Sequence, residues 1–166
     1  MTGGGGVGKS LIIKTISEYA NRFLKFPNQR TYQPSIMLTA STGIAAVPIN
    51  GTTLHTGFSI PTSCAPLSKS SKQLQQLQNK FDFLKIVVVD EISMVAQTLF
   101  STLDQNLRKI MRSDEPFGGV SILAVGDFCQ LPPIMGGPVY SIPSTKSLEV
   151  FAPNMWTENF KIYERK

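Results

Sequence analysis

Gly3-Gly4-Gly5-Gly6-Val7-Gly8-Lys9-Ser10 fits the pattern G-x-x-x-x-G-K-[ST] at every position. Glycines let backbone amides turn inward around a β-phosphate, and a helix opening at about Gly8 adds its positive amino end. Lys9 is suited to bridge the β- and γ-phosphates, and Ser10 to give its hydroxyl to Mg²⁺. A flexible glycine-rich terminus ahead of a Lys-Ser helix start is the competing reading of the pattern alone. A helix follows the loop as required, but the strand that should precede it cannot be supplied by Met1 and Thr2.

Two further clusters can serve the same chemistry. Ile86-Val87-Val88-Val89-Asp90-Glu91 is an apolar strand that delivers two carboxylates to its carboxyl end. Asp90 suits a Mg²⁺ ligand, usually through water, and Glu91 suits the group that polarises an attacking water. Standing alone, such a pair reads as a solvated turn; behind a phosphate loop it reads as catalytic. Val120 to Val125 leads into Gly126-Asp127-Phe128-Cys129-Gln130-Leu131-Pro132-Pro133, which puts the Gln130 amide where a γ-phosphate could be sensed. The adjoining prolines stiffen that segment.

The elements that must position these groups follow from periodicity. Lys9 to about Lys25 has helical spacing, Ser35 to Ala40 is a short strand, and Thr42 to Val47 is a helical turn that Pro48 should end. Pro61 to Ser71 reads as an exposed excursion and Lys72 to Phe83 as a helix. Gln97 to Met111 carries Leu99, Leu103, Leu107 and Ile110 on one stripe. A weak helix around Leu148 to Asn159 and a last strand at Phe160 to Tyr163 complete the chain. Strands alternate with helices, and two strands are apolar throughout. The expected fold is therefore α/β, a mostly parallel sheet covered on both faces, with ligands at the carboxyl ends of its strands.

Composition is compatible with this. The 166 residues are 42% hydrophobic and 16% charged, which excludes a disordered chain, and no apolar run approaches the roughly 20 residues of a membrane span. There is no secretory signal. Cys64 and Cys129 lack metal-ligand spacing and suggest no disulfide framework, so an intracellular, reducing compartment is expected. The net charge of +5 suits phosphate or nucleic-acid contact, but no Lys/Arg block forms a tail, so any basic footprint must be assembled by folding.

The residues together are similar to the petite-integration-frequency type of superfamily 1B helicases, ATP-dependent motors that move 5′ to 3′ on single-stranded DNA. The likeness is carried by G-G-V-G-K-S at Gly5 to Ser10, T-G-I-A-A at Thr42 to Ala46, G-T-T-L-H at Gly51 to His55, V-D-E-I-S-M-V at Val89 to Val95, and F-G-G-V with G-D-F-C-Q-L-P-P between Phe117 and Pro133. It covers essentially the whole chain. It implies a P-loop, RecA-like first motor domain over 1–166 with a small insertion at about 61–81. It assigns Lys9, Ser10, Asp90, Glu91 and Gln130 to an ATP–Mg²⁺ site, and Thr42, Gly43 and His55 to single-stranded DNA. Phe58 is a weaker stacking candidate and reads better as core. His55 also has a structural alternative, a ring hydrogen-bonded within the fold.

Ser41 stands where the family usually has Pro. The absent first strand and second motor domain imply a partial motor, expected to bind Mg-ATP weakly and to unwind nothing alone. DNA forks are the implied partners, and nucleus or mitochondrion the implied location in a eukaryote. Two other readings stay open: an inactive helicase-derived fragment, or a P-loop ATPase of another class.

Overall fold

The computed structural model describes residues 2, 8–64, 71–134, 136–141 and 155–163. Helix α1 spans Lys9–Phe23, strand β1 Ile36–Ala40, α2 Gly43–Ala46, β2 Thr52–Thr53, α3 Leu54–Gly57 and α4 Ser71–Phe81. Strand β3 spans Ile86–Asp90, α5 Gln97–Met111, β4 Ser121–Ala124 and α6 Met155–Asn159. The strands form one parallel sheet in the order β2-β1-β3-β4. Ile36 to Ala40 pairs in step with Ile86 to Asp90, and Ile86 to Val89 with Ser121 to Ala124.

The valine run of β3 explains the two-sided cover. Val87 and Val89 point into a core shared with Leu54, Phe58, Phe81, Leu103 and Leu107, from α3, α4, α5 and their flanks. Val88 points the other way, toward Ile13 and Ala20 of α1 with Ile36, Ile49 and Val125. All three valines are 0% exposed. Alternate side chains of a strand face opposite sides, so only an unbroken apolar run can be buried on both.

Some expectations are corrected. Pro48 does not end the turn after Gly43; it lies inside a 3₁₀ turn, Val47–Ile49. A missing amide costs nothing in a first turn, and it is Asn50, with φ 53°, that ends it. Phe160 to Tyr163 is not a strand: within it, Phe160 N donates to Trp156 O at 3.2 Å and Tyr163 O accepts from Thr2 N at 2.9 Å. Thr2 forms a single parallel bridge to Gly126. Of the helix expected at Leu148 to Asn159, only Met155–Asn159 lies among the described residues.

Strand β4 is launched by a left-handed turn. Phe117, Gly118 and Gly119 have φ of 53°, 65° and 76°. A Cβ on Gly118 would stand 2.6 Å from the Leu107 carbonyl, so that position demands glycine twice over. The turn is tied down by Asp104, 6% exposed, which accepts the Phe117 amide at 2.6 Å and Arg108 Nε at 2.9 and 3.0 Å. Arg108 also donates to the Asp114 carbonyl. Replacing Asp104 strands a buried amide and half of an ion pair. Asp104→Ala is expected to lower stability by about 2–4 kcal/mol in urea unfolding; a loss under about 0.5 kcal/mol would show that the turn holds without it.

Candidate functional site

The rim formed by the carboxyl ends of the strands gathers most of the expected residues. Gly3 to Val7 lie outside the described residues, so the phosphate loop is seen from Gly8 onward. Gly8 is the N-cap of α1 in the left-handed region, φ 80° and ψ 25°, and no side chain caps the helix. A helix start of this kind, with Lys9 and Ser10 in its first turn, presents backbone donors to an anion.

Asp90 ends β3 and Glu91 follows it with φ 52° and ψ 48°, a left-handed kink that turns the chain into the 3₁₀ turn Ile92–Met94. The Glu91 amide donates to Asp90 Oδ1 at 3.0 Å. Burial pushes the Asp90 carboxyl above its ordinary range, against the opposing pull of that amide and of the Lys9 charge. The Glu91 carboxyl is raised too, by burial first, then by the charge of Asp90, with Lys9 offsetting and Asp127 adding to the rise. Lys9 therefore shares a field with both carboxylates, although it precedes them by about 80 residues.

The exits of β3 and β4 are stapled together. Ile92 N donates to Val125 O at 3.0 Å, and a Cβ on Gly126 would meet Ile92 N and Cγ2 at 3.0 Å. Glycine makes that approach without crowding, and the approach sets the Asp90-Glu91 turn beside the segment that carries Gln130. Glu91 and Gln130 line one hollow of about 500 Å³ with Met94, Cys129, Leu131 and Pro132. Asp127 turns the segment by accepting the Cys129 amide at 2.9 Å, and the Gln130 amide donates to Asp127 O at 3.0 Å. Phe128 anchors it, edge-on to Trp156 at 5.4 Å and to Tyr140 at 5.2 Å. Sequence alone does not single out Asp127 and Phe128; G-D-F holds the signal, but the partners at 140 and 156 are invisible without the fold.

The residues expected to meet DNA occupy the same rim at its other end, after β1 and β2. Ser41 N donates to Asp90 O at 3.3 Å, and Thr42 caps α2 by accepting the Ala45 amide on its hydroxyl at 3.2 Å. A Cβ on Gly43 would meet nothing within 4 Å, so packing does not explain the glycine. Ile44 and Val47 beside it are 88% and 73% exposed, an apolar pair that no periodicity marks in the sequence. His55 follows β2 and is half-buried, its Nδ1 3.1 Å from the Ile60 carbonyl, so the fold holds the ring in place. Phe58 is fully buried against Phe81, which removes it from any contact with DNA.

Among the described residues no group of three or more His, Cys, Asp or Glu could hold a metal by itself. Mg²⁺ does not require one, since it commonly takes one or two carboxylates with water and substrate phosphates. A buried carboxylate whose ionisation is penalised, next to a second one, fits such a cation. No helix among the described residues is long and apolar enough to cross a membrane.

Residues 1–162 match the family described as PIF1-like helicases. The chain is 38% identical over 136 residues to the ATP-dependent DNA helicase RRM3 of Saccharomyces cerevisiae, covering 80% of this chain and 18% of that one. It is 40% identical over 138 residues to the ATP-dependent DNA helicase PIF1 of Danio rerio, covering 82% and 20%. The structure of Bacteroides Pif1 bound to single-stranded DNA superposes with a TM-score of 0.61 at 33% identity, over 81% of this chain and 29% of that one. Pif1 from Candida albicans gives 0.63 at 30% identity, over 81% and 30%. The sheet and its helices are thus those of a RecA-like P-loop motor domain. The chain spans about a fifth of the length of these curated relatives.

The raised carboxyls make a prediction with a definite sign. Folding favours protonated Asp90, so its ionised form costs stability. That cost is absent below the ordinary value of 3.8, grows as pH rises through the raised value, and is complete above it. Asp90→Asn keeps an acceptor for the Glu91 amide and removes the charge. It is expected to raise the thermal midpoint at pH 7 by a few degrees, with the gain vanishing near pH 3. A midpoint lowered at pH 7 would contradict it.

Proposed function

We propose, because this chain belongs to the PIF1-like helicase family, that it is the nucleotide-binding part of an ATP-driven motor that moves 5′ to 3′ on single-stranded DNA and opens duplex at forks. One observation carries this reading: Lys9, the pair Asp90-Glu91 and Gln130, from three distant stretches of sequence, share a field or a hollow on one rim of the sheet. Gly3 to Gly8 would cradle the phosphates with backbone amides, and Lys9 would neutralise the β- and γ-phosphates. Ser10 and Asp90 would hold Mg²⁺, whose charge offsets that of the phosphates. Glu91 would take the proton of the attacking water, a task helped by a carboxyl raised toward neutrality. Gln130, on a segment stapled to the Glu91 turn, would report whether a γ-phosphate is there.

Thr42, Gly43 and His55 would meet the DNA strand through a hydroxyl, a backbone approach and a ring. A second motor domain would close over the nucleotide, as the far greater length of the relatives suggests, and closure and release would step the pair along DNA. Taken alone, the 166 residues are expected to bind nucleotide and single-stranded DNA but not to separate a duplex.

The deciding assay is ATP hydrolysis by the complete reading frame with and without single-stranded DNA. DNA is expected to stimulate it, and Lys9→Ala to reduce it by at least about a hundredfold; activity surviving that change would mean that the site is wrongly assigned. Gly43→Ala has room for its Cβ and should leave folding intact. It is expected to weaken single-stranded DNA binding about tenfold, the worth of one backbone hydrogen bond to a phosphate. Unchanged affinity in an anisotropy titration would remove Gly43 from the DNA face.

A further inference from the structure

At the opposite end of β1 the structure has a second polar concavity. The loop from Leu24 to Ser35 and the end of α4 border an open hollow of about 380 Å³ whose lining includes Lys25, Arg30 and Lys80, the last with its Nζ 5.0 Å from the Phe81 ring centroid. Among the described residues no carboxylate lines it. The loop is built, not loose. Gln29 Nε2 donates to Gln33 O at 2.6 Å and to Ser35 Oγ at 2.8 Å, and Gln33 accepts the Arg30 amide at 2.9 Å. Gln33 Nε2 reaches across to the Asn79 carbonyl on α4 at 2.7 Å. Tyr32, 56% exposed, stands at the edge, its hydroxyl accepting from Arg30 at 3.0 Å.

The wider charge pattern agrees. Residues 1–85 hold nine of the sixteen Lys and Arg but two of the eleven Asp and Glu. Of those two, Glu18 is paired with Arg22, and Asp82 lies outside the hollow. Three cations from two separate stretches of sequence are thus brought to one concavity, beside an exposed aromatic ring. That is the combination by which single strands are held: cations on phosphates, a ring under a base.

We propose that this hollow is a second contact for single-stranded nucleic acid, at the amino ends of the strands. It is separated from Thr42 and Gly43 by the length of β1, roughly 16 Å for five residues. The inference rests on the DNA-binding reading above and adds a site to it. A strand leaving or approaching the rim would be held here by charge and by Tyr32, without sequence preference.

The test is oligo-dT affinity of the full chain across a salt series, read by anisotropy. Replacing Lys25, Arg30 and Lys80 together by Gln is expected to lower the slope of log affinity against log salt by about 2, at roughly 0.7 for each phosphate that is no longer neutralised. Tyr32→Leu is expected to cost about tenfold in affinity with the slope unchanged. All four side chains lie on the surface, so thermal midpoints should match the parent, and Lys25→Arg with Lys80→Arg should bind like it. A parent-like slope and affinity in the Gln variant, with oligo-dT still bound, overturns this site alone. Loss of oligo-dT binding by the parent itself overturns the site and the DNA-binding reading together. Polyglutamate displacing oligo-dT from the hollow as well as oligo-dT displaces itself would reassign it to an acidic protein and overturn the proposal.

Discussion

Strand β3 must be apolar enough to lie in the middle of the molecule and yet end in charge. Val87, Val88 and Val89 remove both faces of the sheet from water, and the next two residues are carboxylates at the edge of that dry interior. The adverse environment of Asp90 and Glu91 is a direct result, since the burial that holds the strand also penalises their ionisation. Lys9, arriving from the covering helix on one face, partly offsets it. The rest of the site is arranged around this end of β3: the Ser41 amide on the Asp90 carbonyl on one side, the Ile92–Val125 hydrogen bond and Gly126 on the other.

The rim divides into two territories along the strand order. Residues after β3 and β4 gather around a hollow of carboxylate and amide, whereas those after β1 and β2 offer a glycine in open space, exposed aliphatic side chains and a held imidazole. Asp90 belongs to both, through its carboxylate on one side and its carbonyl on the other. Its carbonyl holds Ser41, one residue before the turn that opens at Thr42.

Much of this is legible in sequence where a single physical signal dominates. The valine run announces a central strand, and the leucine stripe locates Gln97 to Met111 at the bounds found for α5. The phosphate-loop pattern places the α1 start at Lys9. What escapes is set by contacts between remote residues. Strand β2 is two residues long, and α3 is four with Thr53 as its cap, too short for periodicity to register. The tail at Phe160 to Tyr163 has strand-like composition, but it is fixed by stacking of Phe160 on Trp156 and by hydrogen bonds to Trp156 and Thr2. The basic hollow joins positions 25 and 30 of one loop to position 80, and nothing in the local sequence marks Lys80 as their neighbour.

The hydrogen bond from Thr2 to Tyr163 has a mechanical meaning. Thr2 leads directly into the phosphate loop and is bridged to Gly126 on its other side. Phe160, three residues from Tyr163, lies on Trp156 at 4.6 Å with the rings nearly parallel, and Trp156 meets Phe128. The tail thus has one grip on the base of the phosphate loop and another on the segment that presents Gln130. Residues 156–163 therefore tie two stretches that are far apart in sequence, Thr2 and the Phe128 segment, to one short stack of rings.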